Sequence, residues 1–255
     1  MRIAMTGSKN NPGPTGKALG LLKEVIALHG KPFHPETISK KTGVPVANLY
    51  RYLNSFLEAR LLIHPARGEY LPHPSFLSLL STLTSKEVLD RVIRPKLERL
   101  VRILPTTLHF GVLESEMVTY LIKVSPKGQM LFTKENMQLE AYCSSIGKVL
   151  LAAMQDADIK IYLEGDSFPA LTRYTITDPE RIKAEILKTR QRGYGIDDRE
   201  IHEDLFCLAV PVVSTLGETI GAISAASNLG DLLAKDIDLT LKELRAVAKN
   251  VGSVF

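Results

Sequence analysis

Two hydrophobic periods run along this chain, and the change from one to the other divides it. In the first hundred residues apolar positions recur every three or four residues, the spacing of helices with one buried face. The clearest stretch is Glu36 to Leu71. Leu49, Leu53 and Leu57 recur at spacing four with Phe56 beside them, which makes one apolar stripe on a helix. A shorter helix precedes it, stopped by Gly43, a residue that takes a left-handed backbone without steric cost. Pro45 suits the entry to the second helix. Leu61–Ile63 and Tyr70–Leu71 flank a turn of Pro65, Ala66, Arg67 and Gly68, a hairpin with Arg67 at its tip. The pattern is helix, turn, helix and two-stranded wing. Tyr50, Arg51 and Asn54 fall off the apolar stripe, and Val46, Ala47 and Asn48 lead the helix. An aromatic, a cation and an amide on one outer face suit base and phosphate contacts.

Ahead of this stretch, Lys17 to His29 predicts a helix buried through Leu19, Leu22, Val25, Ile26 and Leu28 and ended by Gly30. Residues 1–15, rich in Gly, Pro and Asn, read as a flexible arm in which Lys9 could touch phosphate. Behind the wing, LPHPS (71–75) breaks structure and Phe76 to Leu83 is apolar. Ser85 to Ile103 then reads as a long amphipathic helix, with Pro95 expected to kink or split it.

From residue 105 the period becomes two. Thr107–Leu113 and Met117–Val124 predict an antiparallel pair about a Glu114–Glu116 turn, and Met130–Thr133 a third short strand. Ser144–Met154, Asp156–Leu163 and a helix started by Thr177-Asp-Pro-Glu180 and ended by Gly193 follow. Asp197 and Asp198, just beyond that end, read as a solvated turn. Leu205–Ser214 and Glu218–Ala226 predict a hairpin, and Leu232–Val251 a closing helix. Strands mixed with helices that must cover the sheet make an α+β domain.

Charge adds to this division. Residues 1–75 hold ten Lys or Arg against four Asp or Glu, whereas the other 180 hold 22 against 24. The basic surplus sits with the helix–turn–helix, as a polyanion-binding part requires. No run is long enough to span a bilayer and the N-terminus lacks a signal-peptide pattern, so the expected compartment is the cytoplasm. Cys143 and Cys207 are too few for a disulfide framework. Neither they nor the six histidines, His109 among them, have metal-ligand spacing, so no metal and no cofactor is expected. Thiol catalysis by Cys207 with His202 would lack a third, orienting group, which leaves an enzyme as the weakest reading. A sensor module that uses its winged helix for protein contacts is the competing one.

Three segments of the second half carry a resemblance. SSIGKVLLA (144–152), RQRGYGIDDREIHEDLFCLAVPV (190–212) and GAISAAS (221–227), with TGVPVANLYRYLNSF (42–56) before them, are similar in order and spacing to the IclR family of bacterial transcription regulators. The resemblance runs from about Lys17 to the end. It implies a winged helix–turn–helix over 16–75, a linker helix region over 76–104, and over 105–255 a GAF-like antiparallel sheet with helices that binds an effector. It implies a double-stranded DNA operator and a small-molecule effector as partners, and a homodimer or homotetramer. By motif position the effector site would include Ser145, Ile146, Asp197, Leu205, Cys207 and Ser224. A helix N-terminus at Ser145 favours an anion, so a small carboxylate is the expected effector. Val46, Ala47 and Asn48 stand where the family commonly has small hydroxyl residues, so the operator sequence is not carried over.

Overall fold

A computed structural model describes residues 13–81, 84–129, 131–165, 167–228 and 236–255. The arm residues 1–12, with Lys9, and positions 232–235 of the expected closing helix lie outside the described residues. Two units are distinguished, with the division between Thr84 and Ser85.

The N-terminal unit contains α1 (Pro14–Ala27), α2 (Pro35–Thr42), α3 (Val46–Glu58), β1 (Leu62–Ala66), β2 (Glu69–Pro72) and α4 (Pro74–Leu80). Gly43 caps α2 in the left-handed region at φ 66°, and its N–H returns to Ser39 O. Leu49 and Leu53 of α3 are fully buried with Ile38 and Val44 from the α2 turn and Leu21 and Val25 of α1. Each such leucine contributes roughly 2–3 kcal/mol. Tyr70 of β2 closes this core, and its ring stacks on His64 of β1 at 4.6 Å. Pro72 ends a strand and Pro74 opens α4, so the predicted break shrinks to one residue, His73, whose ring nitrogen caps α4 by accepting from Ser75 N–H.

The C-terminal unit contains α5 (Ser85–Ile103), β3 (Thr107–Glu114), β4 (Met117–Val124), β5 (Gln138–Glu140), α6 (Ser145–Ala152), α7 (Asp156–Leu163), α8 (Pro179–Arg192), β6 (Gly195–Asp198), β7 (Leu205–Val213), β8 (Thr219–Asn228) and α9 (Ile237–Gly252). One six-stranded antiparallel sheet has the order β5-β4-β3-β8-β7-β6. Alternation assigns its two faces. Leu108, Phe110, Leu208, Val210, Ile223 and Ala225 pack on α5 and α9, while Val118, Tyr120, Ala209 and Ala222 pack on the α6 side with α7 and α8. This is the mixed α+β architecture expected.

Four expectations change. Helix α5 continues through Pro95 as one element, and Ile93, Leu97 and Leu100 are buried in the core of this unit. The stretch assigned to a linker over 76–104 is thus partly domain core. The third strand is Gln138–Glu140; Leu131–Thr133 are loop, and Met130 lies outside the described residues. A further strand, β6, holds Asp197 and Asp198. Asp197 is not a solvated turn but 2% exposed, because β6 pairs with the apolar strand β7. Pro14 and Thr15 belong to α1 rather than the arm. No helix among the described residues is long and apolar enough to cross a membrane.

Candidate functional site

On α3 the outer face is as the periodicity implies. Val46, Ala47, Tyr50, Arg51 and Asn54 are exposed, and Asn48 is half-buried. The Arg51 guanidinium lies 5.6 Å from the centre of the Tyr52 ring. Burial, and after it the neighbouring Tyr50, raise the pKa of the Tyr70 phenol and so oppose its ionisation. Helix and wing therefore form one surface. Arg67 is exposed in the turn between β1 and β2.

The second site lies on the α6 face of the sheet. Pairing places Gly195, Ala209, Ser224, His109 and Lys123 in one transverse row, and Asp197, Cys207, Ala226 and Thr107 in the next. Leu205 is on the same side two residues from Cys207 and packs with Cys207 and Ala226. Four of the expected residues, Asp197, Leu205, Cys207 and Ser224, thus share this face. Ser145 and Ile146 form the first turn of α6, which is capped by Ser144 Oγ accepting Gly147 N–H at 3.0 Å. Gly147 is required by close approach. A Cβ there would stand 2.1 Å from Ala141 O.

His109 shares this face and was not among the expected residues. Its ring is 1% exposed, stacks on Tyr120 at 4.5 Å, and has Nε2 2.9 Å from Thr133 Oγ1 and Nδ1 3.5 Å from Ser224 Oγ. Burial, with the Lys123 charge second, lowers its pKa to about 3, so it is neutral and can donate from one nitrogen only. The signal was available. In Thr107-Leu-His-Phe the alternation that buries Leu108 and Phe110 must send His109 to the opposite face.

Asp197 anchors the loop after β6. Its Oδ1 accepts Glu200 N–H at 2.8 Å and Ile201 N–H at 3.3 Å. Burial raises its pKa to about 7, opposed by Lys148 and these N–H groups. The Cys207 thiol is pushed well above its ordinary value by burial and then by Asp197. Such a thiol is not a nucleophile. His202 points elsewhere and stacks on Phe132 at 5.7 Å. Beneath the site Lys148, 2% exposed, forms an ion pair with Glu200 and donates to Ile196 O at 2.9 Å. No cluster of metal-binding side chains occurs among the described residues. A groove of about 440 Å³ lies between β7 and α9, lined by Val210, Val213, Arg245 and Lys249 among others. It contains none of the expected effector residues, and of its polar lining side chains only Ser214 is buried, so the chemistry favours the α6 face.

The sequence model for the bacterial transcriptional regulator IclR C-terminal domain matches residues 81–253. The transcriptional regulator KdgR of Escherichia coli is 32% identical over 189 residues, covering 73% of this chain and 72% of that protein. The Pca regulon regulatory protein of Pseudomonas putida is 27% identical, covering 79% of this chain and 69% of that protein. Among solved structures, an IclR homologue from Microbacterium hydrocarbonoxydans complexed with 4-hydroxybenzoate superposes with a TM-score of 0.61, 21% identity, and coverage of 93% of this chain and 97% of that one.

Proposed function

The chain belongs to the IclR family of bacterial transcription regulators, and we propose that its N-terminal unit binds operator DNA under control of a small carboxylate held on the α6 face. The observation that carries the DNA reading is the outer face of α3. Tyr50, Arg51 and Asn54 stand free of the core and Arg67 is exposed on the wing, in the more basic part of the chain. In this reading α3 enters the major groove, with Val46, Ala47 and Asn48 leading, and Arg67 contacts the backbone from the wing. A duplex selected from a random pool provides the probe, with binding followed by fluorescence anisotropy over a salt series. Arg51→Ala is expected to weaken binding to every sequence and to lower the slope of log K against log salt by about one. An unchanged slope removes Arg51 from the interface. Absence of salt-sensitive binding by the intact protein removes the function and favours the protein-contact reading.

The effector class rests on the α6 face. Among the described residues the two lysines near this face are already engaged within the chain, Lys148 by Glu200 and Lys123 Nζ by two backbone carbonyls. A carboxylate would therefore sit on the α6 N-terminus, at Ser145 and Ile146, with hydrogen bonds from neutral donors such as Ser224. Leu205 and Ile146 supply apolar wall. The 4-hydroxybenzoate bound by the Microbacterium homologue is of this class. A thermal-shift panel of small acids on the full chain tests it. A binder must raise the melting temperature, and Ser224→Ala must reduce that rise. A blank panel sinks the carboxylate.

We assign the assembly as a homodimer through α4, where Leu77 and Leu80, one turn apart, are 51% and 57% exposed. Leu77→Asp with Leu80→Asp is expected to shift sedimentation from dimer to monomer. A monomeric parent, or a dimeric variant, refutes this.

A further inference from the structure

The loop between β4 and β5 covers the candidate effector site with the chain's own residues. Leu131 packs on Leu205, Cys207 and Ala226. Thr133 Oγ1 occupies His109 Nε2 at 2.9 Å, and the Phe132 ring meets His202 on the loop after β6. Lys123 holds this cover shut from β4, its Nζ donating to Leu131 O at 3.0 Å and Thr133 O at 2.5 Å. The next residues go elsewhere. Glu135 Oε1 accepts Arg94 Nη2 at 2.8 Å and Lys123 N–H at 3.0 Å, and Asn136 Oδ1 accepts Lys86 Nζ. Arg94 and Lys86 are on α5, the helix that begins where the N-terminal unit ends in the chain. Six residues thus touch the site at one end and α5 at the other.

We propose that Leu131–Asn136 is an internal strap that fills the effector site when no ligand is bound, and that its displacement by the effector is what α5 senses. The inference rests on the reading of the α6 face as the effector site and adds a requirement on the ligand. The ligand must replace what it removes, with apolar surface for Leu205, Cys207 and Ala226 and an oxygen for His109 Nε2. A hydroxy or oxo acid with a short apolar body meets both requirements. His109 is then a ligand-contacting residue, and Lys123 a positioning residue that sets the cost of opening. A ligand shifts such an equilibrium only by its differential affinity for the open form, so a tighter strap means weaker apparent binding. Lys123 is well placed to set that cost, because its ammonium bonds backbone carbonyls of the strap.

Cys207 reports opening without any ligand, since Leu131 lies on it. In the full chain carrying Cys143→Ala, the rate of Cys207 reaction with dithiodipyridine is expected to rise at least tenfold with Lys123→Met. It should rise at least threefold with Arg94→Met combined with Lys86→Met, which removes both α5 contacts of the strap, to Glu135 and Asn136, and outside α5 also a 3.4 Å bond from Arg94 to Lys123 O. Cys143, fully buried in the α6 core, serves as the control in the Cys207→Ala protein, and its rate must stay within twofold in both variants. Unchanged Cys207 labelling in Lys123→Met overturns the strap, and unchanged labelling in Arg94→Met with Lys86→Met overturns its link to α5. Equal acceleration of both thiols means general unfolding and also overturns it. Faster Cys207 labelling alongside a blank acid panel leaves the strap standing and rejects the carboxylate reading alone.

Discussion

Replacing Lys148 by Met is expected to cost about 3–5 kcal/mol of stability, the range for breaking a buried ion pair by removing one partner. Met keeps most of the aliphatic stem, so the loss isolates the ammonium. That ammonium neutralises Glu200 and satisfies Ile196 O, and both side chains are under one-tenth exposed. Without it Glu200 is a buried carboxylate next to the buried Asp197. Its Oε2 has no well-formed hydrogen bond. Burial raises the Glu200 pKa and Lys148 lowers it, so the variant must raise it further. The sign follows. A carboxyl whose folded pKa exceeds its unfolded value is harmless below the unfolded pKa and costs more as pH rises. The Lys148→Met defect should therefore be full at pH 7.5 and shrink as pH falls toward 4.5, the ordinary glutamate value. Removing both partners, as Lys148→Met with Glu200→Leu, should restore stability to within about 1.5 kcal/mol of the parent, because an apolar pair needs no charge compensation. Urea unfolding at pH 7.5 and pH 4.5 reads all three proteins. A single-variant loss under 1 kcal/mol would place the pair in solvent.

The legible parts of this chain are those in which one period holds over many residues. The α3 stripe, the Gly43 cap, the length of α5 and the pairing of β3 with β4 each follow from local pattern and turn chemistry. The failures have local causes too. Pro95 was expected to kink or split α5; it does not split it, because Ile93, Leu97 and Leu100 bury one face on both sides of it and packing outweighs one missing N–H. The run Gly195–Asp198 is too short and too polar to read as a strand. It is one because it pairs with β7, and pairing carried Asp197 inside. A sequence cannot show that two charges 52 residues apart meet, so nothing in it pairs Lys148 with Glu200. The candidate site was reached by motif position. His109 and Thr133 were missed because neither lies in a motif. They converge only when β3 and the loop after β4 are assembled.

Asp197→Asn is expected to make the protein more stable than the parent above pH 7 and to lose that advantage by pH 4. The carboxyl has a folded pKa of about 7 against an ordinary 3.8, because burial outweighs the help from Lys148 and two N–H groups. Below 3.8 it is protonated both folded and unfolded and contributes nothing unfavourable. Between 3.8 and about 7 the unfolded chain releases its proton first, so stability falls as pH rises. At pH 8 the accumulated cost is on the order of 2–4 kcal/mol. Asparagine can keep Oδ1 on the N–H groups of Glu200 and Ile201, so the loop after β6 stays anchored while the charge disappears. Glu200, with a raised pKa, has the same sign in the parent, whereas His109, with a lowered one, has the opposite sign below pH 6.5. The parent profile is therefore a sum, and only the difference between variant and parent isolates Asp197. Urea unfolding of both proteins at half-unit steps from pH 4 to 8 measures it. A difference that rises through the window and levels above pH 7 identifies Asp197 as the titrating group. A flat difference means the carboxylate is fully solvated by its N–H partners and already ionised at pH 5. A buried carboxyl that reduces stability near neutral pH is a poor choice for structure alone. Its pairing with Cys207 fits the proposed effector site better than a plain core.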